Sequence, residues 1–211
     1  MKKLFFILTL ALVSFGLSAQ DGLKGTWFAG GQLSFGTTKD KNTDAKTTET
    51  MVLPIFGTFV SPSVAVGAGI GYIGSDAKQT IINDMEYDKA KTNMFVFKPL
   101  VRKYWNITGG LYFFGQAALP MQFGNTKLTA ENATGKANVT DIAFELSPGF
   151  DYVVNSWLTI ETSFTIFNMG YNNTKPKGGK AITSFEVNAN PFNSIGDRTV
   201  GQLQVGVKFL F

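Results

Sequence analysis

The sequence contains neither cysteine nor histidine. The lack of cysteine excludes disulfides, thiolate nucleophiles, cysteine-ligated metals and a lipidated cysteine anchor. The lack of histidine removes the usual general base and a principal zinc ligand. Two carboxylates such as Glu145 and Glu161 could still perform acid–base chemistry, but such pairs work in substrate clefts, and the sequence indicates no cleft. We therefore expect a protein with no catalytic activity, no cofactor and no bound metal.

The excess of charge of one sign is small. The chain has 19 Lys and Arg against 15 Asp and Glu, a net charge of +4. Lys2 and Lys3 contribute two of these charges, so the rest of the chain carries 17 − 15 = +2. An excess of this size gives no indication of nucleic-acid binding, so we expect no nucleic-acid partner.

Long hydrophobic runs are also scarce. An apolar run at residues 4–13 follows Lys2 and Lys3 and is followed by Leu17-Ser18-Ala19. This run is shorter than the roughly 20 apolar residues of a spanning helix, and its flanks are typical of a secretory signal peptide. We predict a signal peptide at 1–19, a short N-terminal lead at 20–24 and a single domain at 25–211.

Glycine and phenylalanine are abundant, at 23 and 20 residues, although mean hydropathy is only +0.06. Apolar and polar residues alternate along the chain, most clearly at the C-terminus. There, one face of the predicted strand carries Leu203, Val205, Val207, Phe209 and Phe211. Gln202, Gln204, Gly206 and Lys208 form the other face. A period of two predicts a β-strand.

Seven further segments show the same alternation. They lie near 26–37, 49–60, 64–74, 92–104, 109–123, 140–153 and 158–170. Each is longer than the roughly 5 to 6 residues of an ordinary strand and long enough to cross a bilayer when tilted. Between residues 26 and 74 the glycine-rich pattern does not indicate which face of the strands points inward. The segments predict an all-β fold, an eight-stranded antiparallel up-and-down transmembrane β-barrel.

The predicted connections alternate in length, as they do in such barrels. Long polar loops are predicted at 38–48, 75–91, 124–138 and 172–198, and short turns at 61–63, 105–108 and 154–157. We expect the short turns to lie on the periplasmic side and the long loops outside.

Tryptophans provide a separate indication of membrane insertion. Trp27, Trp105 and Trp157 all fall at the predicted periplasmic rim, where they would form an aromatic girdle. Tyr72, Phe123 and Tyr171 fall at the opposite ends of their strands. Aromatic residues in the core of a soluble barrel would have no reason to share a level.

The polar face carries a few charges among many small residues. They are Lys98, Arg102, Glu145, Asp151, Glu161 and Lys208. Alternation alone does not tell whether this face points inward or outward, but small residues suit the narrow interior of an eight-stranded barrel. We predict that the charges pair in a lumenal network, since unpaired buried charges are costly. The alternative is that several contact lumenal water near the rims.

These features together resemble the outer-membrane protein β-barrel domain family of Gram-negative bacteria, in its small, porin-like, Bacteroidetes-type form. The resemblance rests on the signal peptide ending in Ala19-Gln20, the eight alternating strands and the terminal Phe211 after Phe209. It implies an outer-membrane location after export. It also implies that the last strand, with Leu203, Val205, Val207, Phe209 and Phe211, is read by the barrel-assembly machinery.

The expected partners are outer-membrane lipid and lipopolysaccharide, in addition to the assembly machinery. Lys175, Lys177, Lys180 and Arg198 make the last loop basic, and anionic head groups attract such residues. Solvated loop tips are the alternative, also for the first loop with Lys39 and Lys46.

Three functions remain open at the level of sequence. The first is a non-enzymatic structural role, or a loop-mediated role in interaction or adhesion. The second is a narrow porin-like passage for small solutes. The third is a soluble periplasmic lipocalin-like carrier, whose alternation would be similar but turned inside out.

Overall fold

The computed structural model describes residues 23–40, 45–82, 85–130, 133–189 and 204–211. The predicted signal peptide, Leu203 and Arg198 lie outside these residues. Within them, no helix is long and apolar enough to cross a membrane. The regular structure consists of β-segments in the order β1 Trp27–Lys39, β2 Lys46–Ser61, β3 Val64–Ile82, β4 Met85–Thr108, β5 Leu111–Ala118, β6 Met121–Ala130, β7 Ala133–Asn155, β8 Leu158–Ser163, β9 Phe167–Pro176, β10 Ile182–Asn188 and β11 Gln204–Leu210.

The segments form one closed antiparallel barrel. β1 pairs with β2, and β2, β3 and β4 follow in order around the wall. β5 and β6 occupy one strand position between β4 and β7, and β8 and β9 occupy the next position beyond β7. β10 pairs with β9 while β11 pairs with β8, so both lie along the eighth position. Phe28 of β1 pairs with Leu210 of β11 and closes the ring. The predicted all-β, eight-stranded up-and-down barrel is confirmed.

Two strand positions are interrupted for different reasons. β5 ends before Leu119-Pro120, and proline has no N–H to donate to a neighbouring strand. Between β8 and β9 the pairing slips by one residue. Gly149 lies opposite Ser163 but Leu146 lies opposite Phe167, so four steps on one strand match three on the other. This bulge reverses the alternation and brings Phe167 outward.

The predicted short turns are present, with one shifted. Two of them lie at 62–63 and 156–157, as predicted, but β4 runs on through Trp105 to Thr108 and turns at Gly109-Gly110. Gly109 has a φ of +50°, a left-handed conformation that glycine adopts without strain.

The predicted long loops at 75–91 and 124–138 are wrong over most of their length, because the strands continue through them as paired hairpins. β3 extends to Ile82 and β4 starts at Met85, within the predicted loop at 75–91. β6 and β7 likewise occupy most of 124–138. Strand residues occupy only the two ends of 38–48, and in 172–198 they occupy the parts that belong to β9 and β10. Threonines sustain the pairing, as where the Thr92 and Thr126 hydroxyls lie 2.8 Å apart. In the extensions of β3, β4, β6 and β7 both faces are largely polar, so the alternation of hydropathy is lost although the strands continue. β10 differs, because Phe185 and Val187 are exposed apolar residues that alternate with Ser184 and Glu186.

Glycine-rich β1 to β3 place apolar residues on both faces. Phe28, Leu53 and Ile55 point into the barrel and are buried, whereas Phe56 and Ile70 point outward and are more than half exposed. The hydropathy of these strands therefore contains no signal for the inward face.

Aromatic rings fill the barrel at the end with the short turns. Tyr104 lies 5.2 Å from Phe59 and 5.7 Å from Phe114 between ring centroids, and all three are buried. Glycine makes room for them, since a methyl group on Gly149 would collide with the Phe114 ring. This half of the barrel is consequently a packed core.

Candidate functional site

Four charged side chains meet inside the aromatic half of the barrel, and we refer to them as the lumenal cluster. Arg102 comes from β4, Asp151 from β7, Glu161 from β8 and Lys208 from β11. The side chains of all four point into the barrel, as do buried residues two positions away on the same strands. Two cations face two carboxylates, so the formal charges of the cluster cancel.

Arg102 is held through its whole guanidinium group. It forms a two-armed ion pair with Glu161, in which Nη2 donates to Oε1 at 3.1 Å and Nη1 donates to Oε2. Its Nε donates to Gln116 Oε1 at 2.6 Å. The guanidinium carbon lies 4.5 Å from the centroid of the Phe114 ring. Such a fork geometry restricts Arg102 to one orientation.

Lys208 links the rest of the cluster. Its ammonium group forms an ion pair with Asp151 and lies 3.4 Å from Glu161 Oε2. It also donates to the Tyr104 hydroxyl at 3.2 Å. The side chains of Lys208 and Asp151 are only 3% and 4% exposed, so this pair is shielded from water. Glu161 therefore faces two cations at once.

The other two predicted network residues form a separate pair. Lys98 Nζ lies 2.8 Å from Glu145 Oε2, and Asn168 Nδ2 donates to Glu145 at 3.4 Å. Lys98 precedes Arg102 by four residues, about 13 Å along β4. The structure thus places the six predicted residues in two groups. Within the described part of the chain, no group of three or more carboxylates is arranged to hold a metal.

Sequence reasoning missed the neutral partners of the cluster, Tyr104, Phe114 and Gln116. Tyr104 is two residues after Arg102 and shares its inward phase, so the alternation of β4 was sufficient to place it in the lumen. Its contact with Lys208, 104 residues further along the chain, depends on barrel closure.

The three tryptophans lie at the end of the barrel that carries the short turns. Trp27 exchanges backbone hydrogen bonds with Phe211, and the Trp157 carbonyl accepts one from Leu210. The Trp157 ring stacks on Phe209 at 6.0 Å. Trp105 lies on β4 near its turn, and all three indoles are about half exposed on the outer face.

Above this tryptophan rim, exposed apolar side chains lie on the outer face all around the barrel. Exposed apolar side chains include Leu33, Phe35, Val52, Phe56, Val66, Ile70, Phe95, Leu119, Ile142, Phe150, Ile160, Met169, Phe185, Val205 and Val207. At the other end the row Tyr72, Phe95, Phe123 and Tyr171 borders them. Phe95 and Trp105 are ten residues apart on β4. That spacing is about 33 Å along the strand and about 25 Å across a barrel tilted by about 40°.

Beyond the aromatic row, the outer face carries lysines directly opposite one another on neighbouring strands. We call them the lysine rows. The first row runs through Lys39, Lys46, Lys78 and Lys89. The second runs through Lys91, Lys127 and Lys136. Of the predicted basic last loop, Lys175 lies in β9, whereas Lys177 and Lys180 lie in the turn after it.

The fold defines the chain as a closed eight-stranded antiparallel barrel with a filled lumen at one end. No family model matches the sequence, and no curated protein shows significant sequence similarity to it. Solved structures that resemble the chain include the outer membrane protein OprG from Pseudomonas aeruginosa. The OprG sequence is 14% identical to this one. The match between the two structures covers 92% of this chain and 99% of the OprG chain, with a TM-score of 0.43. A similarity at this level defines no function.

Proposed function

We propose that the chain is an integral outer-membrane β-barrel of Gram-negative bacteria, without catalytic activity, whose role is structural or mediated by interactions of its extended hairpins. The observation that carries the proposal is the banded outer face. An apolar zone of about 25 Å between an aromatic rim and an aromatic row is the exterior that a bilayer requires. Exposure of so many large apolar residues to water would instead cause aggregation.

The same exterior does not fit a soluble lipocalin-like carrier. Such a carrier needs a polar outside and an apolar inside, whereas the charged residues Arg102, Asp151 and Lys208 are buried inside this barrel. The inverted arrangement supports membrane insertion because the ion pairs remain in the protein interior and the apolar side chains meet lipid.

The filled half of the lumen favours a structural or interaction role over passage of solutes. Arg102, Tyr104 and Phe114 occupy the centre of the barrel, and each is at most 5% exposed. A solute would have to displace both the aromatic packing and the ion pairs. The narrow porin-like passage is therefore the weaker of the two alternatives.

Anionic head groups, including those of lipopolysaccharide, are the partners that the lysine rows support. Like charges directly opposite on neighbouring strands are destabilising. Lys127 lies between Lys91 and Lys136, so each pair of neighbours in this row repels. A bound phosphate between them would convert repulsion into charge-assisted hydrogen bonds.

Assembly in the membrane would use the last strand. Val205, Val207, Phe209 and Phe211 point outward from it and are exposed. They remain accessible to an assembly factor that recognises an alternating apolar strand. We extend the proposal accordingly to the barrel-assembly machinery as a partner during biogenesis, after export by the predicted signal peptide.

Fractionation and gel migration test the proposal. We expect the exported protein to start at Gln20, to require detergent for extraction, and to migrate differently on a denaturing gel before and after boiling. The shift arises because a closed barrel has no free strand edge and stays folded in detergent. Release of the protein into the soluble periplasmic fraction without detergent would contradict the proposal.

A further inference from the structure

The outer face of β4, β6 and β7 is sorted by side-chain chemistry into successive levels. In the aromatic row, Phe95 lies opposite Phe123. Two residues further along the strands, Asn93 lies opposite Asn125, which lies opposite Asn138. We call these three asparagines the amide row. After two more residues follows the second lysine row, with Lys91, Lys127 and Lys136. The kind of group therefore changes from aromatic ring to amide to ammonium with increasing distance from the apolar zone.

The levels are closely spaced. Two residues correspond to about 6.7 Å along a strand, or about 5 Å of height for a strand tilted by about 40°. Neighbouring strands lie about 4.8 Å apart, so the three side chains of a row extend over about 10 Å. The amide row and the second lysine row together form a polar patch, comparable in width to a small sugar head group, at the edge of the apolar zone.

Strand stability does not account for this composition. Asparagine is depleted in strands, and lysine to a lesser degree. Like charges directly opposite on neighbouring strands are destabilising, and Lys127 faces a lysine on each side. Asp76 lies opposite Lys91, but its carboxylate forms an ion pair with Lys89 at 3.3 Å. The two rows thus cost the sheet stability, which a ligand of complementary chemistry would restore.

Towards β9 the patch becomes concave. A recess of about 440 Å³ lies between the start of β7 and the turn after β9. Lys175 lies opposite Asn138, and the Lys177 N–H donates to the Lys136 carbonyl at 2.7 Å, so both rows gain a cation at this end. The described residues that line the recess are Lys136, Asn138, Lys175, Pro176, Lys177 and Gly178. Three of them are cationic and none is acidic, so the recess favours an anionic group.

Amide and ammonium groups at adjacent levels match a sugar that carries phosphate. A primary amide has two N–H donors and a carbonyl acceptor, so it can pair with neighbouring ring hydroxyls, which both donate and accept. Asn93 Oδ1 accepts a hydrogen bond from the Tyr72 hydroxyl at 2.5 Å, which fixes the orientation of this amide. Lysine ammonium groups form charge-assisted hydrogen bonds with phosphate. The apolar zone next to these levels is the surface along which acyl chains lie.

We propose that the amide row, the second lysine row and the recess form one site for the head group of a phosphorylated glycolipid. The sugar lies against the amides, the phosphates lie against the lysines, and the acyl chains follow the apolar zone. This inference rests on the proposed function, because it requires this end of the barrel to lie at the membrane surface. It goes further in that it separates a glycolipid from an anionic phospholipid.

Native mass spectrometry of the mature protein in a neutral detergent tests the inference with three lipids. Lipid A carries sugar and phosphate, cardiolipin carries phosphate without sugar, and digalactosyldiacylglycerol carries sugar without phosphate. We expect a single lipid A to bind at least about ten-fold more tightly than either of the other lipids. Equal affinity for lipid A and cardiolipin, or for lipid A and the neutral glycolipid, would overturn the proposal. Equally tight binding of glucosamine 1-phosphate, which has no acyl chain, would do the same.

Replacement of amides separates recognition of the sugar from recognition of charge. The double variant Asn125→Val, Asn138→Val removes two amides in favour of a residue with higher strand propensity. We expect its affinity for lipid A to fall about ten-fold and its affinity for cardiolipin to stay the same, since the lysines are intact. The matched control is Thr50→Val on β2, which lies at the level of the amide row opposite Gly74 and should change neither affinity. A loss of lipid A binding as large in the control as in the double variant would contradict the amide row as the sugar site.

Replacement of lysines tests the recess. The double variant Lys175→Gln, Lys177→Gln should weaken binding of lipid A and of cardiolipin alike, by about ten-fold, and leave the neutral glycolipid unaffected. Unchanged affinity for lipid A would contradict the placement of a phosphate in the recess.

The outcomes distinguish this inference from the proposed function. If lipid A and cardiolipin bind equally, the glycolipid site is refuted, whereas the lysine rows remain a site for anionic head groups. If neither lipid binds but gel migration still depends on boiling, the membrane barrel stands and the glycolipid site is refuted. If a variant does not fold, the ranking of the three lipids by the unmodified protein decides the question.

Discussion

Glu161 holds the two buried cations of the lumenal cluster together. It accepts both arms of Arg102 and lies 3.4 Å from Lys208. A buried ion pair such as Arg102–Glu161 does not by itself make a protein more stable than an apolar core would. Loss of one member has a different consequence, since it leaves a charge without compensation in a site shielded from water.

We predict that Glu161→Gln destabilises the barrel by about 3 to 5 kcal/mol, the range observed when one partner of a buried ion pair is removed. The neutral amide has similar size, so the change isolates the charge. Urea unfolding in lipid vesicles, followed by tryptophan fluorescence, measures the effect. Glu49→Gln, at an exposed carboxylate of β2, serves as the control. Unchanged stability of Glu161→Gln would exclude a stabilising network.

At the scale of the elements, β4 passes through every band of the outer face. Trp105 lies in the tryptophan rim, Val101 in the apolar zone and Phe95 in the aromatic row, all in one outward phase. Lys103, in the same phase between Val101 and Trp105, donates to the Ser63 hydroxyl at 2.7 Å. Beyond Phe95 the same face continues with Lys91 and Lys89. Positions along this one strand therefore predict how the free-energy cost of introducing a charged residue varies with its depth in the membrane.

We predict that Val101→Arg costs about 2 to 4 kcal/mol in bilayers, because it places a cation near the midplane of the apolar zone. Ile107→Arg on the same strand and face lies beyond the tryptophan rim and should cost about 0 to 1 kcal/mol. Reversible unfolding from vesicles compares the two variants. Equal costs at the two positions would contradict the proposed depth of the membrane.

The lysine rows allow a second prediction at this scale. The triple variant Lys91→Gln, Lys127→Gln, Lys136→Gln removes the mutual repulsion of the second row. In the absence of anionic lipid, we expect it to be at least as stable as the unmodified protein. Addition of lipopolysaccharide should raise the unfolding midpoint of the unmodified protein and have less effect on the variant. Lys24→Gln near the short turns is the control. An identical response of all three proteins would refute the rows as an anion site.

For the whole molecule, barrel closure and the filled lumen determine whether solutes can pass. Eight strands enclose a lumen that side chains just fill, and here aromatic rings and the lumenal cluster fill the half near the short turns. The cavity of about 810 Å³ in the other half, which Lys98 and Glu145 help to line, is consequently closed at one end.

We predict that the purified protein in planar bilayers shows no steady single-channel openings. The double variant Arg102→Ser, Lys208→Ser, which removes both buried cations, tests whether the filled half is the obstruction. Any openings it shows should be absent from the unmodified protein. Steady openings of the unmodified protein would favour the porin-like passage over the structural role.

Several features of the fold could be predicted because they are local. The alternation in β4, β5, β7, β8 and β11 separated two faces of each strand, and the small residues that share a face with the six charges predicted that this face points inward. Extension of β3, β4, β6 and β7 into the hairpins could not be predicted, since Thr, Lys and Asn on both faces erase the hydropathy signal of a strand. β10 was missed although Phe185 and Val187 alternate with Ser184 and Glu186. Trp105 was placed in a turn for a related reason, because Asn106 and Thr108 are polar although β4 continues.

The amino-acid sequence by itself determined the strand number, the period-two pattern and the exclusion of histidine and cysteine chemistry, since these depend on residue type and spacing along one strand. Only the tertiary structure decided which face of β1 to β3 points inward, because both faces are apolar. It also selected the partners of Arg102 and Lys208. Arg102 meets Glu161 and Lys208 meets Tyr104 across 59 and 104 residues of sequence. Such contacts follow from strand register and ring closure, which bring inward residues of distant strands into one narrow lumen.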